Sequence, residues 1–130
     1  MSGAMTEQRS KRIVLLIPDA LQRDLAGLAL QRTGFEVVMA REAADLPDLL
    51  ARHHPQALLL DLFLPGANGL DVLEQLQADR ALGETRVFVV SRLAFPEVVL
   101  RARELGVADF FVKPLDADAL TKRIASVLQK

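Results

Sequence analysis

Five short apolar runs recur along this chain, each followed by a segment of helical periodicity, and this alternation restricts the fold more than any other feature. Ile13 to Ile17 (IVLLI), Phe35 to Met39, Ala57 to Asp61, Val87 to Val90 and Asp109 to Val112 read as strands. Unbroken apolar runs are what strands covered on both faces require. Leu21 to Arg32 carries Leu21, Leu25, Leu28 and Ala29 as an apolar helical stripe, and Gly34 ends it. Asp45 to His53 reads as a short helix, with Pro47 in its first turn and Pro55 beyond its end. Asn68 caps a third helix bearing Leu70, Leu73 and Leu76. Phe95 to Leu105 forms a fourth, ended by Gly106, and Asp116 caps a last one with Leu120, Ile124 and Leu128 on one face. Strands and helices in strict alternation, joined by short connections, predict an α/β fold with a parallel sheet and helices on both faces.

A length of 130 residues suits one domain, expected over residues 12–130, standing alone or belonging to a longer protein. Residues 1–11 read as a disordered start with the remnant of a tag, because SGAM precedes a second Met. A net charge of -1 provides no field towards nucleic acid or a membrane surface. There is no Cys, which removes disulfides and thiolate metal sites. No apolar run approaches the roughly 20 residues of a membrane span. The start also lacks the apolar segment of a signal peptide, so a cytoplasmic location is expected.

The chemistry concentrates at strand ends. The segment LLLDLFLPGANG, Leu58 to Gly69, is an apolar run that stops at Asp61, with Pro65 and Gly69 following at fixed spacing. Open α/β sheets carry their sites at the carboxyl ends of their strands. Ser91 closes the run VFVV, and Lys113-Pro114 closes FFV. An acid, a hydroxyl and an ammonium at three successive strand ends suit a crevice where a carboxylate meets a phosphoryl group.

These residues, in this order, resemble the receiver domain of two-component response regulators, from Arg12 to Gln129. Asp61-x-x-x-Pro65-x-x-x-Gly69, Ser91, Lys113-Pro114 and the segment GVADFFVKP carry the resemblance. It implies a flavodoxin-like, doubly wound five-stranded sheet of order 2-1-3-4-5 with five helices. It implies that Asp61 is the phosphoacceptor, that Lys113 neutralises the phosphoryl oxygens, and that Ser91 hydrogen-bonds them. Phe110 falls on the family's switch aromatic. The implied partners are a histidine kinase or phosphotransfer protein, and a downstream protein or fused output domain reached through the face of the fourth helix, fifth strand and fifth helix. A homodimer is compatible with that face; direct contact with nucleic acid or membrane is not implied. Such a domain is not an enzyme beyond phosphorylating and dephosphorylating itself.

The first strand departs from the family pattern. Receivers end it with two adjacent acids that hold Mg²⁺ together with the phosphoacceptor and the backbone carbonyl two residues later, here that of Phe63. This chain reads LLIPDAL. A gapless match puts Ile17 and Pro18 at the acids; a one-residue deletion puts Pro18 and Asp19 there. Either way at most one carboxylate remains, so Mg²⁺ binding is expected to be weak or absent. Arg92 follows Ser91 where the family has a small residue; it covers the pocket, pairs with Asp61, or points to water. A phosphorylation-independent pseudo-receiver, acting as a protein-interaction module, is therefore the alternative to a phosphoacceptor. A phosphatase of the haloacid dehalogenase type needs a second Asp where Phe63 stands, and PDALQRD is no phosphate-binding loop.

Overall fold

The computed structural model describes residues 11–129; the expectation for residues 1–11 therefore lies, Lys11 apart, outside the described residues. The strands are β1 (Arg12–Leu16), β2 (Glu36–Met39), β3 (Ala57–Asp61), β4 (Arg86–Ser91) and β5 (Asp109–Val112). The helices are α1 (Ala20–Arg32), α2 (Leu46–His53), α3 (Gly69–Ala78), α4 (Pro96–Glu104) and α5 (Ala117–Leu128). The strands form one sheet of order β2-β1-β3-β4-β5, and every pairing in it is parallel. This is the doubly wound architecture expected from the alternation.

Alternate residues along each strand face opposite layers. Ile13, Leu15, Leu59, Phe88 and Val90 pack with Ala26 and Leu30 of α1 and with Leu120, Ile124 and Val127 of α5. Val14, Leu16, Leu58 and Leu60 pack on the other face with Leu46 and Leu50 of α2 and Leu73 and Leu76 of α3. A third cluster joins Leu62, Leu70, Val89 and Ala102, with Phe110 against it, under α4. Each fully buried Leu or Phe in these layers adds about 1.5–3 kcal/mol, so the two layers dominate what holds the helices to the sheet.

The leucine stripe of α1 does not face the core: Leu21 is 73% and Leu28 57% exposed, and Leu25 is also exposed. The buried face is Gln22, Ala26, Gly27 and Leu30. Small residues are what let α1 lie close to the sheet. A Cβ at Gly27 would stand 2.9 Å from the Met39 Cε, so α1 and the β2 side chains lie in close contact there, and a larger residue would have to turn the Met39 side chain aside.

The helix caps follow the sequence. Asp19 accepts from the Leu21 and Gln22 amides, Asn68 from Leu70 and Asp116 from Ala119. A feature without a forerunner in the sequence reading is a two-residue hairpin, Phe63–Leu64 against Ala67–Asn68, turned at Gly66 with φ 72°. It stands directly after Asp61 and shapes the rim of the crevice.

Candidate functional site

The chain runs outwards from β1 in both directions, to β2 on one side and to β3 on the other, so the sheet's switch point lies between β1 and β3. Asp61 is the last residue of β3, at this point, and is 1% exposed. Its Oδ2 lies 2.6 Å from the Lys113 Nζ, with side-chain exposures of 9% for the lysine and 2% for the aspartate. Its Oδ1 accepts from the Phe63 amide at 3.0 Å. Both oxygens of a buried carboxylate are thus engaged, which a desolvated charge requires. The pair differs in kind from Arg12–Glu36, whose side chains are 39% and 70% exposed. An exposed pair is worth about 0–1 kcal/mol, whereas removing one partner of a buried pair costs several.

Ser91 ends β4 and is fully buried. Its backbone carbonyl accepts from the Lys113 amide at 2.8 Å, which ties the ends of β4 and β5 together. Its hydroxyl oxygen accepts from the Leu93 amide at 3.1 Å, shaping the turn into α4. The Leu62 amide donates to the Val90 carbonyl at 3.0 Å, joining the end of β3 to β4 in the same way. The strand ends carrying Asp61, Ser91 and Lys113 are therefore adjacent. The Lys113–Pro114 peptide is cis. Phe110 is half-buried and packs against the cluster of Leu62, Leu70, Val89 and Ala102 beneath α4.

Two residues that hold this geometry escaped attention as such in the sequence. Gln22, on the buried side of α1, accepts from the Leu115 amide at 2.8 Å and so anchors the loop that follows Lys113. A buried Gln is visible from sequence only once the true inner face of α1 is known. Gly69 opens α3 directly beneath Asp61: a Cβ there would collide with the Asp61 carbonyl oxygen and lie 2.8 Å from the Leu62 Cα. Its place in the DLFLPGANG string marked the position, but not this close approach.

The opposite wall is apolar. Leu16 pairs with Leu60, so one residue further on Ile17 stands beside Asp61. Ile17 is buried, Pro18 is exposed, and Asp19 is the exposed N-cap of α1. Among the described residues no group of three or more His, Cys, Asp or Glu is arranged to hold a metal. Mg²⁺ needs several hard oxygen ligands in near-octahedral order. One carboxylate already shared by an ammonium and an amide, one capping carboxylate and the Phe63 carbonyl do not fit a resident Mg²⁺. Arg92 lies over the Phe63 ring, its guanidinium carbon 6.0 Å from the centroid. Asp61 has Lys113, not Arg92, as its ion-pair partner.

A broad concavity of about 1150 Å³, lined by residues such as Arg12, His54 and Arg86, lies at the other end of the sheet. His53 and His54 do not converge there on a metal: His54 is the left-handed residue that ends α2, at φ 44°. The buried, paired polar groups sit instead in the small crevice above β3.

A doubly wound α/β domain with a buried carboxylate–ammonium pair at its switch point has the fold and site of a phosphoacceptor-type signalling module. The model of the response regulator receiver domain matches residues 14–125, and the chain belongs to that family. It is 31% identical over 121 residues to the sensory/regulatory protein RpfC of Xanthomonas campestris pv. campestris, covering 92% of this chain and 17% of that protein. It is 27% identical over 119 residues to the polar-differentiation response regulator DivK of Brucella ovis, covering 92% and 97%. With the phosphate regulon transcriptional regulatory protein PhoB of Pseudomonas aeruginosa it shares 23% over 120 residues, 92% of this chain and 52% of that one. The chain thus spans about a sixth of RpfC and half of PhoB, but nearly all of DivK.

Solved structures share the fold. The CheY-like receiver domain from Methanospirillum hungatei superposes with a TM-score of 0.82 at 23% identity, covering 92% of this chain and 94% of that one. The BeF3-activated receiver domain of Klebsiella pneumoniae RstA gives 0.80 at 22%, covering 92% and 99%. Receiver domains are phosphoacceptor signalling domains that work with histidine kinases and output domains, and they typically bind Mg²⁺ at an acidic pocket. Among the described residues no helix is long and apolar enough to cross a membrane.

Proposed function

We propose that Asp61 accepts a phosphoryl group from a phosphohistidine on a kinase or phosphotransfer protein, and that the domain relays this as a change of its partner-binding face. The observation that carries the reading is the 2.6 Å contact between the Lys113 Nζ and the buried Asp61 Oδ2. A carboxylate oxygen attacks phosphorus, the P–N bond breaks, and the leaving imidazole keeps the bonding pair and takes up a proton. Lys113 balances charge on the transferred oxygens. The Ser91 hydroxyl, whose oxygen already accepts from Leu93, donates its proton to a phosphoryl oxygen and draws the loop after β4 inwards. Phe110, packed against the cluster that includes Ala102 of α4, follows that loop. The readout is a population shift of α4, β5 and α5. Leu93, Phe95, Leu100 and Val112, all exposed, supply apolar anchors for a partner protein or a second copy there. No enzymatic turnover of another substrate belongs to this reading, and its place is the cytoplasm.

Incubation of the chain with phosphoramidate, followed by intact mass measurement, is expected to show one phosphoryl group, absent in Asp61→Asn. No mass gain with or without Mg²⁺ overturns the reading. The apolar wall of Ile17 and Pro18 favours a second reading, a receiver-shaped interaction module that no donor phosphorylates. Under it, Asp61→Asn leaves partner binding unchanged.

A further inference from the structure

We propose that Arg92 takes the place of the missing metal: its guanidinium, parked on Phe63 at the mouth of the crevice, is the second cation that binds the phosphoryl group on Asp61. The inference rests on the phosphoacceptor reading and names the group that makes it work without a divalent ion.

Charge balance is the first argument. In the resting crevice the Asp61 carboxylate and the Lys113 ammonium cancel. An acyl phosphate replaces that single negative charge by nearly two. Lys113 alone then leaves about one negative charge unbalanced in a buried site, and the β1 wall of Ile17 and Pro18 brings no ligands for a metal to correct this. One further cation restores neutrality.

Position is the second argument. Arg92 is the first residue beyond β4, directly after Ser91, and Asp61 is level with Val90 of that strand. It is exposed. Its guanidinium carbon is 6.0 Å from the centre of the Phe63 ring, and the amide of that same Phe63 donates to the Asp61 Oδ1. The cation thus rests on the side chain of the residue whose amide holds the carboxylate. Arg12, Arg23, Arg52, Arg101 and Arg123 are committed to acids. Arg92 has no ion pair among the described residues, so moving it breaks no salt bridge.

Chemistry is the third argument. A guanidinium presents a planar fork that takes two phosphoryl oxygens at once, and it holds its charge at any working pH. A ring face holds such a cation loosely at an exposed site, so the phosphoryl group outcompetes it. A cation at this place also repels Mg²⁺, in accord with a crevice that has shed its acids.

The test uses the 130-residue chain and phosphoramidate, whose P–N bond breaks as the Asp61 oxygen bonds to phosphorus and ammonia leaves with the proton. Phosphorylated Asp61 is followed by intact mass in EDTA and in MgCl₂. The native rate is expected to agree within about twofold between the two. Arg92→Gln is expected to lower it about tenfold or more, as loss of one charge-stabilising donor does, and Arg92→Lys to recover only part. Thermal unfolding of each variant should match the native chain, since Arg92 is exposed. An unchanged rate in Arg92→Gln, or a native rate that collapses in EDTA, overturns the proposal while leaving Asp61 as acceptor. Absence of phosphorylation in every condition overturns the acceptor reading and this inference together.

Discussion

The two walls of the crevice differ in kind. On the side of β3, β4 and β5, polar groups are buried and joined to one another: Asp61 to Lys113, the Asp61 carboxylate to the Phe63 amide, the Ser91 carbonyl to the Lys113 amide. On the side of β1 stand a buried Ile17 and an exposed Pro18, and the nearest acid, Asp19, is spent on capping α1. In the proposed function the first wall meets the phosphoryl anion, and the second offers no carboxylate beyond the capping Asp19. The family typically binds Mg²⁺ at an acidic pocket, so here the carboxylate–ammonium half of the crevice stands without the paired acids of the other half. The reason lies in the topology. The acceptor wall is tied across three adjacent strands, whereas the β1 wall depends on one strand end and its loop, where changes disturb few neighbours.

The contrast can be broken at its strongest point first. Lys113→Met leaves a buried carboxylate without its cation and should cost about 3–5 kcal/mol in urea unfolding. Adding Asp61→Leu should return most of it, because the orphaned charge is removed. A loss below about 1 kcal/mol for the single variant would mean that the pair does not organise the wall. Gly69→Ala comes next. Its methyl meets the Asp61 backbone rather than a movable side chain, so a loss near the upper end of about 1–3 kcal/mol is expected, measured the same way.

The β1 wall answers with smaller effects. Asp19→Ala should lose about 1 kcal/mol, the usual worth of an N-cap, while Asp19→Asn, which can still cap, should stay close to the native value. If the native chain gains stability on Mg²⁺ addition and Asp19→Asn abolishes that gain, Asp19 is a metal ligand after all. Smallest in stability is Pro18→Asp. At an exposed position it should lie within about 0.5 kcal/mol of the native chain in EDTA. It should also create a Mg²⁺-dependent rise in Tm, since saturation at tenfold over Kd stabilises a fold by about 1.4 kcal/mol. No rise would show that one carboxylate beside Asp61 is too few to make a metal site, and the two walls would then differ by more than a single residue.

Much of this was legible in the chain. The apolar runs marked all five strands to within a residue or two, because strands covered on both faces leave little choice of residue type. Asn68 and Asp116 marked helix starts, since a cap acts on amides only a few residues away. Asp61, Ser91 and Lys113 were recognisable as strand-end residues, and the fold brings those ends side by side. The α1 stripe left the inner side open, because periodicity shows that a helix has an apolar face, not which face lies inwards. Leu21, Leu25 and Leu28 form the more apolar stripe, yet the sheet accepts Ala26 and Gly27, whose size permits close approach.

Local residue choice was therefore enough for the order of strands and helices, their caps and the identity of the groups at the strand ends, because those depend on neighbours a few positions away. Which oxygen of Asp61 meets Lys113, which side of α1 is buried, how Gln22 reaches the loop after Lys113 and where Arg92 comes to rest all depend on residues far apart in the chain. Those contacts exist only once packing has brought distant segments together, since close packing selects shape and distance rather than hydrophobicity alone.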